Sequence, residues 1–221
     1  MLAYEPLKGG RIGIGGSTAG VVDRNLRGLR DLVDGALAEV RVESGRQNRE
    51  RVLVSELLEE VETDAALHAN ERGIVLFVAP APRGLEVSMD RAILTAALHN
   101  LLQNAFKFSR ESGHVSLITT LRDGRVLFDV QDECGGLPVA DPEGLFAPYV
   151  QKGTNKKGLG LGLSISRKGI EAHGGQLTAR DLPGKGCIFT INVARLESNV
   201  SATPFPAPLV NRQETCDLGA A

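Results

Sequence analysis

The 221-residue chain lacks tryptophan and has only seven phenylalanines and two tyrosines, too few rings for a platform on which single-stranded bases stack. Long apolar runs are also missing. The stretch 74–82 is among the longest and falls well short of the roughly 20 residues of a membrane helix. Neither sign of charge dominates: 25 Lys and Arg stand against 27 Asp and Glu, for a net charge of -2 and a pI near 6.1. That balance provides no whole-chain basic field, so neither nucleic acid nor a membrane surface is expected as a partner. The opening MLAYEPLKGG has no basic-then-apolar layout of a signal peptide. Cysteine is scarce. Cys134, Cys187 and Cys216 are odd in number and far apart, which suggests neither a zinc site nor a disulfide framework and makes a reducing cytoplasm the simplest compartment.

Glycine is abundant and unevenly spread. Ten of the 26 glycines lie in residues 131–175, so backbone freedom is concentrated in one part of the chain. Before that, Ser17 and Thr18 offer helix caps and apolar residues recur at Val22, Leu26, Leu29, Val33, Ala36 and Val40. This narrow seam has to be buried against other helices and is read as part of an oligomeric bundle. Residues 1–50 are therefore expected to form a partial dimerisation region, 51–195 a globular body and 196–221 a disordered tail, the last being proline-bearing and without periodicity.

Within the body, 52–54 reads as a short strand and Ser55 as the cap of a helix to about Asn70, with Leu58, Val61, Ala65 and Leu67 or His68 facing inward. Residues 74–79 and 85–89 read as strands, and Asp90 caps a strong helix to about Phe108. Residues 114–121 and 125–131 form a hairpin across Arg122-Asp123-Gly124. The irregular segment 137–158 is long enough to be a functional lid, and a helix over 159–173 closes at Gly174-Gly175 before a last hairpin across Pro183-Gly184. Helices and hairpins alternate without a βαβ rhythm, which predicts an α+β fold, a mixed sheet with helices on one face.

Three places carry chemistry. On the Asp90 helix, Asn100, Asn104 and Lys107 are spaced i, i+4, i+7 and share a face. Their amide oxygens can ligate a hard cation, and their donors and the ammonium can meet phosphate. After the strand 125–131 comes Asp132-Glu133-Cys134-Gly135-Gly136, a carboxylate suited to an exocyclic amine, with glycines that admit a planar ligand. Gly158, Gly160 and Gly162 precede a helix whose first N–H groups can cradle phosphate, and the stretch 151–170 has five basic residues (Lys152, Lys156, Lys157, Arg167 and Lys168) and no acidic one.

In this order the three places resemble the ATP-binding domain of sensor histidine kinases. Residues 100–108 look like the family's asparagine box, 132–136 its first glycine box, 145–149 with Phe146 its phenylalanine box, and 158–162 its second glycine box, with Leu163 following. The resemblance extends over about 55–193, and the seam helix with its Arg41-Val42-Glu43-Ser44-Gly45 ending is similar to the second helix of the family's dimerisation bundle. It implies a two-layer sandwich that binds ATP and Mg2+ and passes the γ-phosphoryl group to a histidine. Asn104 would ligate magnesium, Asn100 and Lys107 would contact phosphates, and Asp132 would read the adenine amine beside Gly135 and Gly136. Phe146, Lys152, Gly158, Gly160, Gly162 and Leu163 would complete the nucleotide site. The implied partners are a phosphoacceptor helix, a response regulator receiver domain and a second copy of the chain.

Two departures qualify the resemblance. Cys134 stands where the family's first glycine is usual, which is expected to alter the backbone's approach to the base. The four histidines, His68, His99, His114 and His173, all lie in the body, so no acceptor precedes Val22 and the chain is expected to begin after it. A related ATPase would place a glutamate four residues before the magnesium asparagine. Here that position is Asn100, which cannot act as a base at neutral pH. A nucleotide-binding docking module without transfer activity is the other alternative.

Overall fold

The computed structural model describes residues 48–137, 142–150 and 160–197. The expected seam helix, most of the lid and the tail from residue 198 onward lie outside the described residues. Strand β1 (Glu50–Leu53) runs directly into helix α1 (Val54–Glu71), followed by β2 (Val75–Val78), β3 (Glu86–Met89) and helix α2 (Arg91–Phe108). Strands β4 (His114–Arg122) and β5 (Arg125–Asp132), a 3-10 turn at Pro142–Phe146, helix α3 (Gly162–Ala172), and strands β6 (Gln176–Leu182) and β7 (Gly186–Ala194) complete the order.

The main sheet is five-stranded in the order β2-β4-β5-β7-β6, antiparallel except that β2 runs parallel to β4, while β1 and β3 form a separate antiparallel pair. The expected α+β class therefore holds. One face of the sheet is buried through Val115 and Leu117 of β4, Val126, Phe128 and Val130 of β5, and Ile191 and Val193 of β7. This alternation is the period of a strand with one covered face. α2 supplies most of the opposing layer through Leu94, Leu98, Leu101 and Leu102, all essentially solvent-free, each worth about 1.5–3 kcal/mol relative to exposure.

Local signals set several boundaries as expected. Asp90 accepts the Ile93 N–H at 3.2 Å and caps α2. Asp123 and Gly124 take φ of 51° and 71°, as a two-residue hairpin turn requires. Three expectations are corrected. Ser55 does not cap α1: the cap position is Leu53, because the Val54 N–H is already bound to the Leu85 carbonyl at 2.9 Å. Leu67 faces solvent, since the inner stripe runs through Leu57, Leu58, Val61, Ala65 and Ala69 and leaves position 67 on the far side. α3 begins at Gly162 and not at 159, because Gly160 has φ +71° and cannot continue a helix.

Candidate functional site

α2 places Asn100, Asn104 and Lys107 on one half-buried face. The Asn100 Nδ2 donates to Ser166 Oγ of α3 at 3.0 Å, and the Asn104 Nδ2 reaches Asn100 Oδ1 at 3.5 Å. The second link is long and weak. Asn104 Oδ1 accepts no hydrogen bond among the described residues. Lys107 extends beside the Phe108 ring, its Nζ 5.0 Å from the centroid.

The close approach of the two helices depends on small residues. A Cβ on Gly162 would lie 2.2 Å from Asn100 Oδ1, and one on Gly169 would lie 2.9 Å from Ile93 Cγ2. Gly162, Ser166 and Gly169 thus form an i, i+4, i+7 stripe on which α2 rests. α3 starts without a side-chain cap, and Ser164 Oγ instead donates back to the Leu161 carbonyl at 2.8 Å. Among the described residues no side-chain oxygen caps this first turn, which leaves the positive end of the helix available to an anion. Leu163 packs half-buried against the core, and the Gly160 carbonyl accepts the Tyr149 N–H at 2.9 Å.

At the end of β5, Asp132 is buried with 3% exposure. Its Oδ1 accepts the backbone N–H groups of Cys134 and Cys187 at 3.0 and 3.1 Å, and its Oδ2 meets the Cys187 thiol at 3.2 Å. A carboxylate oxygen has two lone pairs, so Oδ2 keeps the capacity for one further donor. The register Asp132↔Cys187 makes this arrangement possible. Gly186 is required beside it: a Cβ there would sit 1.8 Å from the Asp132 carbonyl oxygen. Gly135 and Gly136 have φ of +86° and +121°, a region that other residues rarely adopt. Asp181 Oδ1 fixes the end of this turn by accepting the Leu137 N–H at 2.6 Å.

Cys134 is not among the residues with positive φ, so a side chain at the position of the family's usual glycine carries no backbone strain. Its Sγ lies 3.6 Å from that of Cys187. The hydrogen bond with Cys187 holds the Cys134 thiol below its usual range, and the same bond, burial and the Asp132 charge push Cys187 well above it. Next to them, the His114 backbone N–H, with help from Arg110, holds the Glu133 carboxyl below its usual value.

Arg110 follows α2 closely and bonds Glu133 at 3.3 Å, so the C-terminal half of α2 and the end of β5 meet at one edge of the body. Phe146 is buried, edge-on to Phe189 with centroids 6.3 Å apart, and Arg167 lies over its ring at 4.8 Å. Its visible role is to anchor the segment before the glycines. Lys152 and Gly158 fall outside the described residues. Arg167, counted from sequence among the basic residues available to an anion, is instead bound to Glu171 and Glu143. His173 caps α3 and holds the Gly169 carbonyl at 2.9 Å. Sequence reasoning missed Ser166, Asp181, Gly186 and Cys187. The Gly162, Ser166, Gly169 spacing was visible to it, whereas the others depend on strand pairing.

Residues 89–197 match the family model described as histidine kinase-, DNA gyrase B-, and HSP90-like ATPase. The chain is 36% identical over 126 residues to the sensor histidine kinase WalK of Bacillus subtilis, covering 54% of this chain and 21% of that protein. It is 32% identical over 190 residues to the histidine protein kinase DivJ of Caulobacter vibrioides, covering 80% and 31% respectively. The chain thus spans less than a third of these curated relatives. Full-length ShkA in complex with AMPPNP superposes with a TM-score of 0.66 at 29% identity, covering 77% of this chain and 36% of that one. The catalytic domain of histidine kinase ThkA gives a TM-score of 0.60 at 26% identity, covering 66% and 95%.

Proposed function

Since the body of the chain is an ATP-binding domain of the sensor histidine kinase type, we propose that it binds Mg-ATP and delivers the γ-phosphoryl group to a histidine presented by a bundle helix, from which a response regulator receiver domain takes it. The observation that carries this reading is the pairing of unlike groups at one edge of the body. A buried carboxylate keeps one acceptor site, while two helices present amides and an uncapped N-terminus. A purine amine suits the first and a triphosphate the second.

Asn104 Oδ1 is a neutral oxygen with no partner among the described residues, the donor type a hard divalent cation takes. Magnesium held there would neutralise phosphate charge. Asn100 and Lys107 would orient the phosphates, and Gly158, Gly160, Gly162, Leu163 and Lys152 would surround them. Gly135 and Gly136 would leave room for the base beside Asp132, with Phe146 steadying the lid's base. Asn100 is an amide bound to Ser166 and is unable to take a proton from water, whereas an imidazole nitrogen already carries a lone pair. Transfer is therefore favoured over hydrolysis. A homodimer formed through the N-terminal helix, in the cytoplasm, is the matching assembly.

The test supplies an acceptor. Fusion of a histidine-bearing bundle helix ahead of Met1, followed by incubation with γ-labelled ATP, should give an acid-labile label on that helix. Normal ATP binding without label would favour a docking module.

A further inference from the structure

We propose that Cys134 and Cys187 form a reversible oxidation site, closing to a disulfide that weakens nucleotide binding at Asp132. The two sulfurs come from different elements, the turn after β5 and strand β7, and lie 3.6 Å apart. They are near enough to bond after a small movement of the turn. Cys134 is half-exposed and Cys187 is 2% exposed, the arrangement of an attacking thiol and a resolving thiol behind it. The hydrogen bond with Cys187 favours the thiolate form of Cys134, the nucleophilic form, while Cys187 holds its proton more tightly.

With hydrogen peroxide as oxidant, the Cys134 thiolate attacks one peroxide oxygen. An S–O bond forms, the O–O bond breaks, and the departing hydroxide leaves as water after taking a proton. The Cys187 sulfur then attacks the sulfenyl sulfur, the S–S bond forms, the S–O bond breaks and a second water leaves. Two thiols are oxidised and one peroxide is reduced to two waters.

The consequence for the site is geometric. Closing from 3.6 Å to the roughly 2.05 Å of a disulfide draws Cys134 toward β7 and removes the Cys187 proton from Asp132 Oδ2, where it now sits at 3.2 Å. The Gly135-Gly136 turn is tied on its other side by Gly135 N–H to Lys185 and Leu137 N–H to Asp181. It therefore has to deform beside the base position. This consequence rests on the nucleotide-binding reading, while the oxidation itself requires only the thiol pair.

The experiment uses the full chain carrying Cys216→Ser. Peroxide should lower its mass by two hydrogens and link the peptides containing Cys134 and Cys187. Mg-ATP affinity should fall by about tenfold, within the range of ordinary site-to-site coupling, and return with dithiothreitol. In Cys187→Ala the linked peptide should be missing, and the ratio of affinities before and after peroxide should stay near one. Sulfinic acid on Cys134 without a link, or a disulfide with unchanged affinity, overturns the proposal. So does stoichiometric zinc binding that protects both thiols, since Asp132, Cys134 and Cys187 keep their ligand atoms within 4.8 Å of one another. Reduced protein that forms the disulfide but never binds ATP refutes the nucleotide reading and leaves the thiol chemistry standing.

Discussion

At the β5 end of the candidate site, the Asp132 carboxylate already receives three hydrogen bonds and is almost solvent-free, whereas at the α2 end the Asn104 carbonyl oxygen receives none from the described residues and the residue is half-buried. The first end is fixed by strand pairing, with β7 supplying both a backbone and a thiol donor to the carboxylate. At the second end, Asn100 bonds Ser166 across a glycine contact between helices. A carboxylate buried without donors would be costly, so the proposed base end has to be complete before any ligand arrives. Amides are neutral and tolerate partial exposure, so the proposed phosphate end can be completed by a ligand.

The largest effect is expected from Gly186→Ala. Its Cβ would meet the backbone oxygen of Asp132 at 1.8 Å, and neither strand can yield without losing pairing. A loss of about 3 kcal/mol is expected in urea unfolding, at the upper end for overpacking. A change under 1 kcal/mol would show that the base end is not rigid.

Asp132→Asn tests the same end through its chemistry. The new amide can still accept the Cys134 and Cys187 N–H groups through its oxygen, but its NH2 then points where a purine amine would donate. ATP affinity should fall by about 2 kcal/mol, roughly thirtyfold, with the fold retained. Calorimetry with ATP and GTP checks it, and equal losses for both nucleotides would assign Asp132 to the fold alone.

Gly162→Ala strikes the other end. Its Cβ would press on the Asn100 amide, 2.2 Å from Oδ1, which is a side chain and can turn once its Ser166 bond breaks. Affinity for ATP should drop by about 1–2 kcal/mol while stability changes less than in Gly186→Ala. The reverse ranking would contradict the assignment of rigid and yielding ends.

The smallest effect concerns acid. Glu133 has its folded pKa lowered, chiefly by the His114 N–H, so its tie stabilises the fold above the ordinary carboxylate value and is lost as pH falls through the lowered one. The side chain keeps 33% of its surface in solvent, and the effect is correspondingly slight. Carboxyl NMR titration of Glu133 should show the lowered midpoint, and Glu133→Gln should remove the associated acid dependence of His114 amide protection.

What was legible in the sequence follows the same divide. Asp90 as a cap and Asp123-Gly124 as a turn act within a few residues and were readable directly. So was the shared face of Asn100, Asn104 and Lys107, because one helix sets it. The parallel pairing of β2 with β4 and the Asp132↔Cys187 register join distant segments, and no local pattern encodes them. Ser55 and Leu67 were misplaced for different reasons. The Val54 N–H bonds the distant Leu85 carbonyl and fixes where α1 starts, whereas Leu67 lies off the local stripe of Leu57, Leu58, Val61, Ala65 and Ala69, which the helical period alone sets.

The proposed ligation of magnesium by Asn104 Oδ1, which accepts no hydrogen bond among the described residues, is open to direct test. Calorimetric titration of the reduced full chain and of Asn104→Ala with ATP, each with magnesium and with chelator, tests it directly. Magnesium should strengthen ATP binding to the native chain, and Asn104→Ala should lose most of that gain while its affinity in chelator is little changed. An Asn104→Ala protein that binds ATP in magnesium as tightly as the native chain would contradict it and leave Asn104 an ordinary residue of the helix surface.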